Sequence, residues 1–178
     1  MAALAACGGT ETAQTTSSGA TPAPEERTPA TASIDPLATP AGGEDTFCVY
    51  KRLDNAEASF VRSMRGRLSE GSHHMIVYAS KATEEQLVPF RCDGFGGIVD
   101  AEGDVLPGLD TKNIPIFIAQ QPDVVVQMPE DGGVPVAFRI EAQQMLLLEL
   151  HWFNTTPGEQ DVTATFDVET VPIDTTVI

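Results

Sequence analysis

Met145-Leu146-Leu147-Leu148-Glu149-Leu150-His151-Trp152-Phe153 is the run that decides the fold. In a strand, successive side chains point to opposite faces. Leu146, Leu148, Leu150 and Trp152 then share one face, and Leu147, Glu149, His151 and Phe153 share the other. Both faces are largely apolar, so the strand belongs in the middle of a sheet rather than at an edge. Close behind it, Asp161–Val171 alternates cleanly, with Val162, Ala164, Phe166 and Val168 on one face and Thr163, Thr165, Asp167 and Glu169 on the other. That is the pattern of a half-buried antiparallel strand.

Working outward, further short β-rich runs lie at Phe47–Leu53, Ser59–Arg67, His74–Ala79, Ile114–Ile118, Val124–Met128 and Val134–Ile140, separated by turn residues. No 3.6-residue period competes with them. The one helix-start signal is Thr83-Glu84-Glu85, good for a single turn within Lys81–Leu87. Eight or so strands joined by loops of moderate length predict an all-β fold, an antiparallel β-sandwich of jelly-roll type.

Composition narrows the function. The 178 residues suffice for one domain and a tail. Ten Lys and Arg face 26 Asp and Glu, for a formal charge of −16. Five of the ten basic residues (Lys51, Arg52, Arg62, Arg65, Arg67) sit in one segment, and beyond Asp93 only Lys112 and Arg139 are positive. No basic stripe is present for phosphate backbones, which argues against nucleic acid as a partner. No run approaches the roughly 18 apolar residues of a membrane helix. Neither G-x-S-x-G, nor a P-loop, nor H-E-x-x-H occurs.

The start of the chain reads as an export signal. Leu4-Ala5-Ala6-Cys7-Gly8 resembles a bacterial lipobox, whose cysteine becomes the lipidated first residue. Only six residues precede Cys7 and none is basic, so residues 1–7 are expected to be the remnant of a longer signal. Residues 8–45 are rich in Thr, Ala, Pro and Ser, with Ile34 and Leu37 their only large aliphatics. Such a segment buries too little apolar surface to offset its ordering entropy and is expected to be a disordered linker. The folded domain is then 46–178. The expected location is the periplasm or cell surface, with membrane contact through the lipid alone.

Once Cys7 is assigned to lipid, Cys48 and Cys92 remain. In an exported protein the simplest pairing is one disulfide, worth up to roughly 4 kcal/mol in the chain-entropy account. Two buried thiols or thiolate ligands are the alternatives, although neither cysteine has C-x-x-C or C-x-H spacing. The sequon Asn154-Thr155-Thr156 is expected to be only a turn.

The chain has three histidines: adjacent His73 and His74 at the mouth of the apolar run Met75-Ile76-Val77-Tyr78, and His151 within the deciding strand. Neutral imidazole is the commonest metal ligand in proteins. One reading is a single three-histidine site. The plainer one is two solvent-facing residues at a strand start and one satisfied core histidine. Adjacent strand residues point apart, so His73 and His74 can share an ion only if the backbone bends, as Gly71-Ser72 permits in a bulge or strand start. Met75 offers a thioether nearby and otherwise belongs to the core. Glu149, on the face of His151, is a candidate acceptor that orients an imidazole, or else a surface charge.

The order of Phe47-Cys48-Val49-Tyr50, His73-His74-Met75, Cys92, Met128-Pro129, Phe138-Arg139-Ile140 and Leu148-Glu149-Leu150-His151-Trp152-Phe153-Asn154 resembles the N-terminal domain of the copper type II, ascorbate-dependent monooxygenases. Peptidylglycine α-hydroxylating and dopamine β-monooxygenases are members. The resemblance spans most of 46–171. It implies a β-sandwich in which His73, His74 and His151 hold the electron-transferring copper and Cys48 pairs with Cys92. It also implies ascorbate as reductant and a small-molecule or peptide substrate hydroxylated with O2. The family's second copper, which binds dioxygen, is held by a His-x-His pair and a methionine of a further domain. This sequence has no histidine left for it, so a second domain or partner chain is expected to supply it. A stand-alone exported copper or electron carrier is the alternative.

Overall fold

The computed structural model describes residues 29–92 and 112–178. Its strands are β1 (Ala30–Thr39), β2 (Glu44–Arg52), β3 (Ser59–Leu68), β4 (Ser72–Ser80), β5 (Gln86–Arg91), β6 (Asn113–Ala119), β7 (Asp123–Gln127), β8 (Glu130–Asp131), β9 (Val134–Pro135), β10 (Arg139–Ile140), β11 (Met145–Phe153) and β12 (Gln160–Pro172). They form two five-stranded antiparallel sheets and a small β8–β9 ribbon. One sheet runs β1-β12-β3-β10, with β7 also on β3; the other runs β5-β2-β11-β4-β6. The chain is thus all-β and sandwich-like. No helix forms among the described residues, so none there is long and apolar enough to cross a membrane.

β11 is the central strand of its sheet, as its two apolar faces require. Its inner face (Leu146, Leu148, Leu150, Trp152) meets Val162, Ala164, Phe166 and Val168 of β12, all buried in one cluster. Phe117 of β6 reaches across to Phe166 with ring centroids 5.2 Å apart. The outer face of the β11 sheet holds a second buried cluster of Cys48, Ile76, Tyr78 and Leu147, with Tyr50, Phe90 and Cys92 packed against it. Cys48 and Cys92 form a disulfide there, with Cα atoms 5.8 Å apart.

Three expectations need correction. The boundary at residue 46 is too late, because β1 lies inside the segment read as linker and pairs with β12 along its length. Its alternation buries Ala32 and Ile34 in the main core, and the ladder slips between Ile34 and Leu37, where Pro36 lacks the donor a regular ladder needs. Val134–Ile140 is not one strand but β9 and β10. Between them, Val136 donates to Pro129 O and Ala137 to Ile178 O, outside the sheet ladder. The turn of helix at Thr83–Glu85 does not form; a bend leads instead into β5, where Pro89 is accommodated on an edge strand. Met75 is fully buried among the core residues, the plainer of its two readings. The lipobox with Cys7, and the linker as far as residue 28, lie outside the described residues.

Candidate metal centre

The three histidines meet at one end of the outer face. β4 and β11 run antiparallel with His74 opposite His151, Ile76 opposite Glu149 and Tyr78 opposite Leu147. At the next step Trp152 pairs with Ser72, so His73 is an extra residue on β4 with no partner on β11. This is a β-bulge, and it removes the parity problem of two adjacent ligands. Ser72 turns inward, where its hydroxyl donates to Thr163 O of the other sheet at 3.3 Å. His73 projects with His74 instead of away from it.

Gly71 makes the approach possible. Its φ is +84°, a conformation that side chains resist, and a Cβ there would lie 3.1 Å from Gln160 and Val162. Its carbonyl accepts from Phe153 N at 2.9 Å, which ties the bend to the end of β11.

The rings converge through their Nδ1 atoms. His73 Nδ1 lies 3.3 Å from His74 Nδ1 and 3.1 Å from His151 Nδ1. Ring centroids are 4.9 to 5.4 Å apart. Three nitrogens on one ion at 2.0–2.1 Å in tetrahedral geometry would stand about 3.4 Å from one another. The two separations from His73 match that spacing, and all three donors lie within 4.8 Å of one another, which suits a transition-metal ion. Burial lowers the pKa of His74, and the neighbouring His151 and His73 lower it further, so the neutral, ligating form is favoured. His73 is exposed, which leaves the group open on one side.

Two neighbours define the surroundings. His151 Nε2 is 2.9 Å from Glu44 Oε1, at the start of β2. Glu149, the residue singled out from sequence, occupies the expected face two positions from His151 but is fully buried and accepts a hydrogen bond from the Tyr78 hydroxyl at 3.0 Å. Burial, then the charge and hydrogen bond of Glu149, push the Tyr78 pKa far above its usual value. The carboxylate that faces an imidazole is thus Glu44, which the sequence reading missed. The signal lies only in the β2–β11 register, where Glu44 stands opposite Phe153, two residues beyond His151.

Asn154 is buried and acts as a loop organiser. Its amide donates to Thr39 O and Gly158 O, both at 2.9 Å, while its Oδ1 accepts from Thr156 N and Oγ1. The sequon is a turn, as read. Among the described residues, the three histidines are the one group of His, Cys, Asp and Glu side chains arranged to hold a metal. Comparison with protein-family models and with curated proteins returns no match for this chain.

Proposed function

We propose that this chain binds one copper ion through Nδ1 of His73, His74 and His151 and serves as the electron-transferring half of an ascorbate-dependent copper monooxygenase. The observation that carries the metal reading is the Nδ1 convergence, at 3.1 and 3.3 Å from His73. Three imidazoles suit copper in both oxidation states, and also zinc. Copper is preferred because the same residues, in the same order, make up the resemblance to the monooxygenases. When bound, copper supplies a one-electron couple at this position.

The residues divide the work. The bulge at His73 and the cross-strand pair His74–His151 hold the three rings on the sheet, which would keep the donors in place in either oxidation state. Exposed His73 leaves the ion reachable by a reductant such as ascorbate. Hydroxylation of a small molecule or peptide belongs, in this reading, to a second copper domain or chain. The Cys48–Cys92 disulfide supports export to an oxidising compartment, as the lipobox reading asks. A second reading, an exported copper or electron carrier that hydroxylates nothing, is favoured by the commitment of all three histidines to a single group.

The test is a metal titration with copper(I), copper(II) and zinc on the wild type and on His151→Ala. One copper per chain, lost in the variant while the disulfide stays intact, is expected. Equal copper uptake by the variant would move the site elsewhere, and preferential zinc binding would replace the electron-transfer role with a structural one.

A further inference from the structure

Among the described residues, the Glu44–His151 contact has no counterpart at the other two histidines. Among the described residues, His73 and His74 make ring contacts only with each other and with His151. His151 alone has its outward nitrogen against a carboxylate, Nε2 to Glu44 Oε1 at 2.9 Å. Among the described residues no Lys or Arg pairs with Glu44, and the neighbouring Asp45 takes Arg91. An ionised carboxylate is an acceptor only, so the hydrogen in this contact sits on Nε2, and in the neutral ring Nδ1 keeps its lone pair, aimed into the group. Ligating histidines commonly pass their second N–H to a carboxylate, which fixes ring and tautomer and raises the donor strength of the ligating nitrogen.

We propose that Glu44 is a positioning residue for the centre: it locks His151 in the Nε2–H tautomer, with Nδ1 free for the ion, and biases the site toward the divalent over the monovalent state. This rests on the metal reading above. The bias follows from charge, since a stronger donor and a nearby anion stabilise the more highly charged ion more. The backbone makes Glu44 well suited to the task. It opens β2 directly after Gly43, whose Cβ position is filled by Pro40 and Trp152 at 3.0–3.1 Å, so the strand start is fixed in place.

The experiment has a metal-free and a metal-bound arm. In the metal-free protein, long-range ¹H–¹⁵N correlation of the imidazoles should show His151 as the Nε2–H tautomer in wild type and as a mixture in Glu44→Ala. Wild type in the Nδ1–H form would overturn the proposal. In the bound arm, copper(II) affinity should fall about 10- to 100-fold in Glu44→Ala, the usual range for losing such a partner. Copper(I) affinity should change less. Each tenfold difference between the two raises the reduction potential by about 59 mV. Glu44→Gln, which keeps an acceptor without the charge, should restore the tautomer but only part of the potential. Glu84→Gln removes the same charge in the β4–β5 connection, beyond the end of β4 that is far from the histidines, and should change nothing. A merely structural role predicts lower stability with no shift in tautomer or potential, and would overturn the proposal. If wild type binds copper and Glu44→Ala matches it in both states, Glu44 is dismissed and the copper site stands. If wild type takes up no copper, the metal reading fails and the role of Glu44 toward an ion fails with it.

Discussion

His151 stands directly opposite His74 in the β4–β11 ladder, while one step further Trp152 is opposite Ser72. The residue between the two pairs on β4, His73, is surplus to the ladder. Two neighbours in sequence therefore serve one face, which a regular strand forbids. The third histidine reaches the group because the strand has one residue too many.

Deleting His73 tests that statement. The ladder should then run without interruption, with every side chain from Met75 onward on its present face. The expected outcome is a urea midpoint at or above that of wild type, because a bulge disrupts the ladder locally, together with loss of copper affinity as large as in His73→Ala. A collapse of stability would mean that the bulge is required for folding rather than for the ligand set.

Packing makes a second prediction, at Gly66 of β3. A Cβ there would sit 2.6 Å from the Phe117 ring and 3.0 Å from the Ala119 methyl. Phe117 cannot withdraw freely, being buried against Phe166. Gly66→Ala should destabilise the fold by about 1–3 kcal/mol, the usual range for overpacking. Combined with Phe117→Leu the two changes should be non-additive, with a coupling of about 0.5 kcal/mol or more, as expected for residues in contact. Strict additivity in denaturant titrations would show that the ring moves aside at no cost.

The sandwich was legible where the period-2 pattern is strong. Met145–Phe153 has apolar residues on both faces and is central; Asp161–Val171 alternates and buries Val162, Ala164, Phe166 and Val168. β1 was not legible, because its Thr, Ala, Ser and Pro content matches a linker and its burial comes from pairing with a strand some 130 residues away. β5 was missed for a similar reason, with Pro89 on an exposed edge. At the site, the histidines and the need for a backbone bend could be read from sequence spacing. Glu44 could not, since its approach to His151 depends on the β2–β11 register. Parity put Glu149 on the right face, but Tyr78 across the ladder takes its hydrogen bond, a choice set by which polar atom lies within reach.

Tyr78 carries the third prediction, on pH. Burial and Glu149 hold its folded-state pKa far above the ordinary 10.0. Above pH 10 the unfolded chain therefore releases a phenolic proton that the folded chain retains. The unfolded state then binds fewer protons, and stability falls as pH rises. The contribution is fully present below pH 10 and is lost progressively above it. Tyr78→Phe should cost about 1–3 kcal/mol near neutrality, through the lost hydrogen bond to a buried carboxylate, yet show a shallower decline between pH 10 and 11. Parallel declines in the two proteins would place the alkaline loss elsewhere.

The last prediction joins the site to chemistry. The chain has three histidines and all of them lie in one group, so copper uptake should stop at one equivalent per chain. Ascorbate should bleach the copper(II) resonance, because exposed His73 leaves the group open on one side and three imidazoles serve both oxidation states. Hydroxylating a C–H bond asks for more: a metal with open coordination positions beside the substrate, where dioxygen can bind. The described residues offer no second group of His, Cys, Asp and Glu for such an ion. The 178-residue chain alone should thus consume ascorbate only to reduce its own copper, without turning over peptide or catecholamine substrates. Adding a protein domain that carries a His-x-His and methionine copper site is expected to restore turnover if the electron-transfer reading is right. Hydroxylation by this chain alone would show that one three-histidine site suffices for both roles. Failure of ascorbate to bleach the signal would remove electron transfer from the account and leave a copper-binding module.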